Sequence, residues 1–91
     1  MNVEIVSPEG KVFSGQAKAV QLPGTNGLFQ ILDNHAPLIS TLTSGSIKLE
    51  ISEKTADLPS VFEKTSGSQY LLPIKGGVVE VLANKVIILV D

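Results

Sequence analysis

The sequence predicts an all-β fold, a flattened sandwich or barrel of about ten short strands. Three observations carry this. Hydrophobic residues make up 43% of the chain and are mainly Val, Ile and Leu, with few aromatics and no Trp, a mix that suits a sheet core. Turn chemistry recurs at short intervals along the chain. No stretch keeps a 3.6-residue apolar period over ten residues. A length of 91 residues fits one domain, 1–91, able to bury roughly 60–65% of the surface its unfolded chain exposes.

Val3 to Val6 is β-branched and alternating, and reads as the first strand. Ser7-Pro8-Glu9-Gly10 closes it, because Pro pre-sets φ and Gly tolerates positive φ. Lys11 to Ser14 is a short second strand, ended by Gly15. Ala17 to Leu22 is a third, with Ala17 and Ala19 on one face and Lys18, Val20 and Leu22 on the other. Pro23-Gly24-Thr25-Asn26-Gly27 is a strong turn signal, since Asn-Gly suits two successive positive φ values. Leu28 to Leu32 follows as a strand, with Phe29 and Ile31 pointing inward and Leu28 and Gln30 outward. Asp33 to Pro37 is a loop with two Asx residues able to bond their own backbone. Leu38 to Leu42 is the next strand, and Thr43-Ser44-Gly45 turns the chain. Ser46 to Ile51 shows the clearest alternation, with Ile47, Leu49 and Ile51 toward the core and Lys48 and Glu50 toward water. The segment 52–68 reads as a variable insertion. Within it Glu53 to Asp57 is polar, and Ser60 to Lys64 is either a short strand or one helical turn. Thr65 to Ser68 is a loop. Gln69 to Ile74 is a strand whose Pro73 cannot donate to a ladder, which places it at an edge, a bulge or a strand end. After Lys75-Gly76-Gly77 come Val78 to Leu82, a hairpin turn at Ala83-Asn84-Lys85, and Val86 to Val90. The unbroken apolar run of the last strand predicts burial on both faces.

The composition excludes several classes of function. Cysteine is absent, which removes thiolate nucleophiles, disulfides and Cys-based metal sites. Seven Lys and Arg are scattered along a chain of net charge −2, without the basic stripe of a nucleic-acid binder. No apolar run approaches the ~20 residues needed to span a bilayer. Met1 to Glu4 lacks the basic start and apolar core of a signal peptide. The sole histidine, His35, has no His or Cys companions for a metal. A hydrolytic reading would have to borrow Ser40 and Asp33, and nothing places a Ser on a nucleophile elbow. Gly24 to Gly27 lacks the Lys-Ser/Thr ending and the following helix of a phosphate cradle. Glu4, Glu50 and Glu80 fall on solvent faces of different strands. No catalytic residue, cofactor or metal is expected. A small β-domain of this kind acts by binding, through loops and a sheet face.

Four motifs occur in order along the chain: Ile5 to Gly15, Leu22-Pro23-Gly24-Thr25-Asn26-Gly27, His35-Ala36-Pro37-Leu38-Ile39-Ser40 with Gly45 following, and Gly76 to Leu89. Together they resemble the epsilon subunit family of F-type ATP synthases, in its N-terminal β-sandwich domain, over the whole chain except about 52–68. The resemblance implies a non-catalytic subunit of the central stalk. It would bind the gamma subunit and the ring of c subunits and help transmit proton-driven rotation to the catalytic head. Leu28, Phe29, Gln30, Asn34 and His35 would face the c-ring, and Ser7 and Ser40 would lie toward gamma. In a bacterium the subunit would sit peripherally at the cytoplasmic face of the cell membrane. The chain departs from the pattern at Leu28, where many relatives carry an acidic residue, and at Gln30 and Asn34, near which they carry glycine. It stops where relatives begin a two-helix domain, and so reads either as a short form without the ATP-binding and inhibitory helices or as a piece of a longer chain from which they have been cut. The alternative from another class is a stand-alone sandwich that binds carbohydrate or a small ligand, for which exposed aromatics are few.

Overall fold

The computed structural model describes residues 1–51, 58, 59 and 61–91, with Ser66 described by its backbone alone. Among these residues nine strands form: β1 (Asn2–Ser7), β2 (Gly10–Gly24), β3 (Gly27–Leu32), β4 (Leu38–Leu42), β5 (Gly45–Ile51), β6 (Glu63–Ser66), β7 (Gln69–Ile74), β8 (Gly77–Leu82) and β9 (Lys85–Val90). The expected polar segment Glu53 to Asp57 lies outside the described residues. Within the stretch left open between strand and helical turn, Glu63 and Lys64 are strand. The strand runs on through Thr65 and Ser66, which the sequence assigned to a loop.

The two layers are joined by β2. Gly15 does not end a strand; β2 runs for 15 residues through it. A side chain at Gly15 would meet the ring of Phe13 at 3.0 Å, so this glycine leaves room for an aromatic ring instead of breaking the chain. The first half of β2 pairs antiparallel with β1, from Gly10 to Gln16. The second half pairs with β5 on one edge and β3 on the other. One layer is thus β1, β9, β8 and β4 with the start of β2. The other is β3, the end of β2, β5, β7 and β6. β1 closes the first layer by pairing in parallel with β9.

The register slips between Ala17 and Ala19. A bulge there places one extra residue in the strand and flips the alternation. As a result Ala17 shares the core with Val20 and Leu22, although simple alternation set it on the opposite face. The core lies between the layers. Val3, Ile5, Val20, Leu22, Ile31, Ile47, Leu49, Val79, Val81, Val86 and Ile88 are sealed in it, and among the described residues no polar or charged residue is buried. Each such aliphatic side chain contributes about 1.5–3 kcal/mol on leaving water. The expected inward positions Ile31, Ile47, Leu49 and Ile51 are all in the core.

β9 departs from expectation. Val86 and Ile88 are buried, but Leu89 is 52% exposed and Ile87 half-buried. Nothing in the described chain covers the outer side of this layer, so its continuous apolar run is not a sign of two covered faces.

Candidate functional site

The turn expected over Pro23 to Gly27 is confined to Thr25-Asn26, because Pro23 and Gly24 belong to β2 and pair with Leu28 and Gly27 of β3, and this hairpin end is built by packing. A side chain at Gly24 would meet the Phe29 ring at 2.8 Å, and one at Gly45 would meet Pro23 at 2.8 Å. These glycines let an aromatic ring and a proline seat directly on backbone. The turn is tied to β4: Thr43 N–H donates to the Pro23 carbonyl at 2.8 Å, and the Thr25 and Thr41 hydroxyls lie 3.3 Å apart. Leu28 then stands 68% exposed at the start of β3. Phe29 is half-buried and Gln30 exposed, as the alternation requires. Among the described residues β3 pairs with β2 alone, and none of them pairs with its other edge.

Asp33 to Pro37 crosses from β3 to β4. Asn34 adopts a left-handed φ of 61°, a conformation Asn tolerates better than most residues. The His35 N–H donates to the Leu32 carbonyl at 3.2 Å. Leu28 stands near one end of β3 and His35 lies just beyond the other, and Leu28 to Leu32 alone spans about 13 Å at the ordinary rise of a strand. A single partner contact including both would have to run the length of that strand.

The residues that a hydrolytic reading would combine are engaged separately. His35 Nδ1 lies 2.7 Å from the Ala36 carbonyl. The Ser40 hydroxyl donates to the Thr41 carbonyl at 3.3 Å. Asp33 accepts from the Met1 ammonium at 2.6 Å. Among the described residues no group of three or more His, Cys, Asp or Glu is placed to hold a metal.

Ser7 caps the β1–β2 turn, with its hydroxyl 3.2 Å from the Glu9 carboxylate. Ser40 sits in β4 opposite the buried Val79, so its half-buried side chain shares the inner side with Leu38 and Leu42. Both serines belong to the same layer. The residue on the outer side beside Ser40 is Ile39, at 71% exposure.

That outer side is the feature that motif reasoning missed. Ile39, Val78, Leu82 and Leu89 are all exposed there, and Ile87 is half-buried beside them. The register brings them together: Val78 faces Leu89, Glu80 faces both Ile39 and Ile87, and Leu82 faces Lys85. A shallow depression of about 300 Å³ is lined by Glu80, Leu82, Ala83, Lys85 and Ile87. The opposite layer differs in kind. Its outer side has a depression of about 310 Å³ lined by Ala19, Gln21, Gln30, Lys48, Glu50 and Gln69. The first layer's outer side thus carries exposed aliphatic side chains around Glu80, whereas the second layer's carries polar groups bordered along β3 by the exposed Leu28 and Leu32. Contiguous exposed apolar groups mark interaction surfaces. The signal was present in the sequence: in Val78 to Leu82 and Val86 to Val90, both alternating sets are largely apolar.

The fold is a β-sandwich with exposed aliphatic side chains on its outer surfaces. Residues 1–91 match the family described as ATP synthase, delta/epsilon chain, beta-sandwich domain. The chain is 38% identical over 89 residues to the ATP synthase epsilon chain of Chlorobaculum tepidum, covering 98% of this chain and 86% of that one. It is 40% identical over 91 residues to the epsilon chain of Campylobacter fetus, covering all of this chain and 60% of that one. With the epsilon chain of Desulfitobacterium hafniense it shares 44% identity over 89 residues, 98% of this chain and 57% of the other. Among solved structures, a chain of the Tetrahymena thermophila mitochondrial ATP synthase central stalk and c-ring superposes with a TM-score of 0.72. That match has 19% identity and covers 99% of this chain and 62% of the other, a likeness of fold. The chain belongs to the delta/epsilon family of ATP synthase subunits.

Proposed function

We propose that this chain is a non-catalytic rotor subunit of an F-type ATP synthase, linking the gamma subunit to the c-ring and coupling proton translocation to ATP synthesis. It would work peripherally at the cytoplasmic face of a bacterial cell membrane. The observation that carries the proposal is the aliphatic outer side of β4, β8 and β9 in a chain of this family. Gamma docks on that side, which shares its layer with Ser7 and Ser40. The c-ring meets the turn that presents Leu28 and Phe29, with Gln30, Asn34 and His35 further along β3 and its following loop. The fold shared with a chain of the Tetrahymena central stalk and c-ring assembly is in keeping with a stalk subunit. The carbohydrate-binding alternative is not favoured: among the described residues the large exposed hydrophobic side chains are aliphatic.

The test is a titration of the chain against purified gamma subunit, with Ile39→Asp as the variant. Ile39 is exposed in the free chain, so its loss from an interface removes roughly 1–2 kcal/mol of burial, and desolvating the carboxylate adds to that. Binding weakened at least about tenfold is expected. Binding by the wild type that Ile39→Asp leaves untouched would move gamma to another face.

A further inference from the structure

We infer that Asn84 is a positioning residue for the partner surface, holding the loop of Asp33 to Pro37 against the edge of the aliphatic face. The inference rests on the docking reading above. Asn84 belongs to the tight turn between β8 and β9. Ala83 and Asn84 have φ values of 52° and 58°, the pair of left-handed residues that a two-residue hairpin turn uses. Backbone geometry alone would favour glycine there, and Asn is the next choice. What a glycine cannot supply is the side chain. The Asn84 carboxamide oxygen accepts the Asn34 backbone N–H at 2.7 Å, across 50 residues of sequence. The Asn84 carbonyl also accepts the Asn2 N–H at 3.1 Å. Three separate segments therefore meet at one turn residue: the start of β1, the β8–β9 hairpin and the loop that carries His35.

The position gives the contact a consequence. Ala83 and Lys85, on either side of Asn84, line the depression on the aliphatic face. Leu82, just before them, is 58% exposed. At the other end of the contact, Asn34 is itself left-handed, and a left-handed residue reverses the direction of the chain that follows it. Fixing Asn34 fixes the path by which His35, Ala36 and Pro37 lead into Leu38 and Ile39. The hydrogen bond thus joins the loop and the hairpin into one preformed surface. A surface ordered before docking loses less conformational freedom on binding.

Two variants separate positioning from folding. Asn84→Gly keeps the backbone conformation and removes the acceptor; Asn84→Asp keeps an acceptor oxygen at the same place. Amide hydrogen exchange on the isolated chain reads the contact, and titration with purified gamma subunit reads its use, with Ile39→Asp alongside. In Asn84→Gly, exchange at Asn34 is expected to quicken about three- to tenfold, the scale of one lost hydrogen bond, while Val86 and Ile88 stay protected. Gamma binding should weaken by a similar factor. Asn84→Asp should restore both. Faster exchange with unchanged gamma binding would overturn the positioning role, and so would unchanged exchange. If Ile39→Asp binds gamma normally, the docking reading fails instead, whatever Asn84→Gly does to the loop.

Discussion

Two neighbouring residues of β9 give opposite predictions, although the sequence places them in one apolar run. Ile88 is fully buried, and Leu89 is 52% exposed on the outer side. Ile88→Asp removes about 1.5–3 kcal/mol of burial and sets a carboxylate among Val, Ile and Leu side chains, which costs several kcal/mol more even after the group takes up a proton. The sum is of the order of 5 kcal/mol. A chain of this length has a total stability of roughly 5–14 kcal/mol, so Ile88→Asp should be largely unfolded or close to it at 25 °C. Leu89→Asp leaves the core untouched. Its cost should stay within about 1 kcal/mol, the range of strand preference at a surface site. Urea titration followed by far-ultraviolet circular dichroism measures both. Similar large losses of stability in the two variants would show that the outer side of β9 is covered and would remove the basis for a docking surface. A folded Leu89→Asp that has also lost gamma binding would join the exposed side chain to its role.

Other consequences follow from the same geometry. Gly77→Ala should destabilise the fold by at least about 2 kcal/mol in thermal unfolding, because its Cβ would lie 2.1 Å from the Leu89 carbonyl oxygen, an overlap only backbone movement can relieve. Leu22→Ala should cost about 2–5 kcal/mol in urea, as truncation of a sealed core side chain does; Leu22 is fully buried between the layers. Leu28→Asp should unfold at nearly the wild-type midpoint, since Leu28 is 68% exposed, yet reduce incorporation into a reconstituted gamma and c-ring complex. His35→Ala should keep the fold, because the ring's contact is with the adjacent Ala36 carbonyl.

Much of this fold was legible because strand periodicity reports one covered face. Ile47, Leu49 and Ile51 alternate with Lys48 and Glu50, and the structure seats the first three in the core. Phe29 and Ile31 followed the same rule. The rule failed where alternation loses its meaning. At Lys18 a bulge shifts the pattern, and no residue type announces it. At Gly15 glycine reads as a break, but its small size makes room for Phe13. In β8 and β9 both sets of side chains are largely apolar, and periodicity cannot tell a second covered layer from an exposed docking surface. The site was legible in outline. The turn at Gly24 and the loop at His35 were found because their glycines and prolines are unusual. Ser40 was chosen by motif, although strand geometry turns it inward and leaves Ile39 outside. Asn84 drew notice only as turn chemistry. Its bond to Asn34 spans 50 residues, a distance at which local sequence carries no signal.

The most direct test of the account is a side-chain footprint of the chain bound to gamma subunit, by hydroxyl-radical labelling read with mass spectrometry. The account predicts that Ile39, Leu82 and Leu89 lose reactivity on binding, while Leu71 in β7, opposite Lys48 on the outer side of the other layer, does not. Protection of β7 with Ile39 and Leu89 still reactive would contradict it and assign docking to the opposite face.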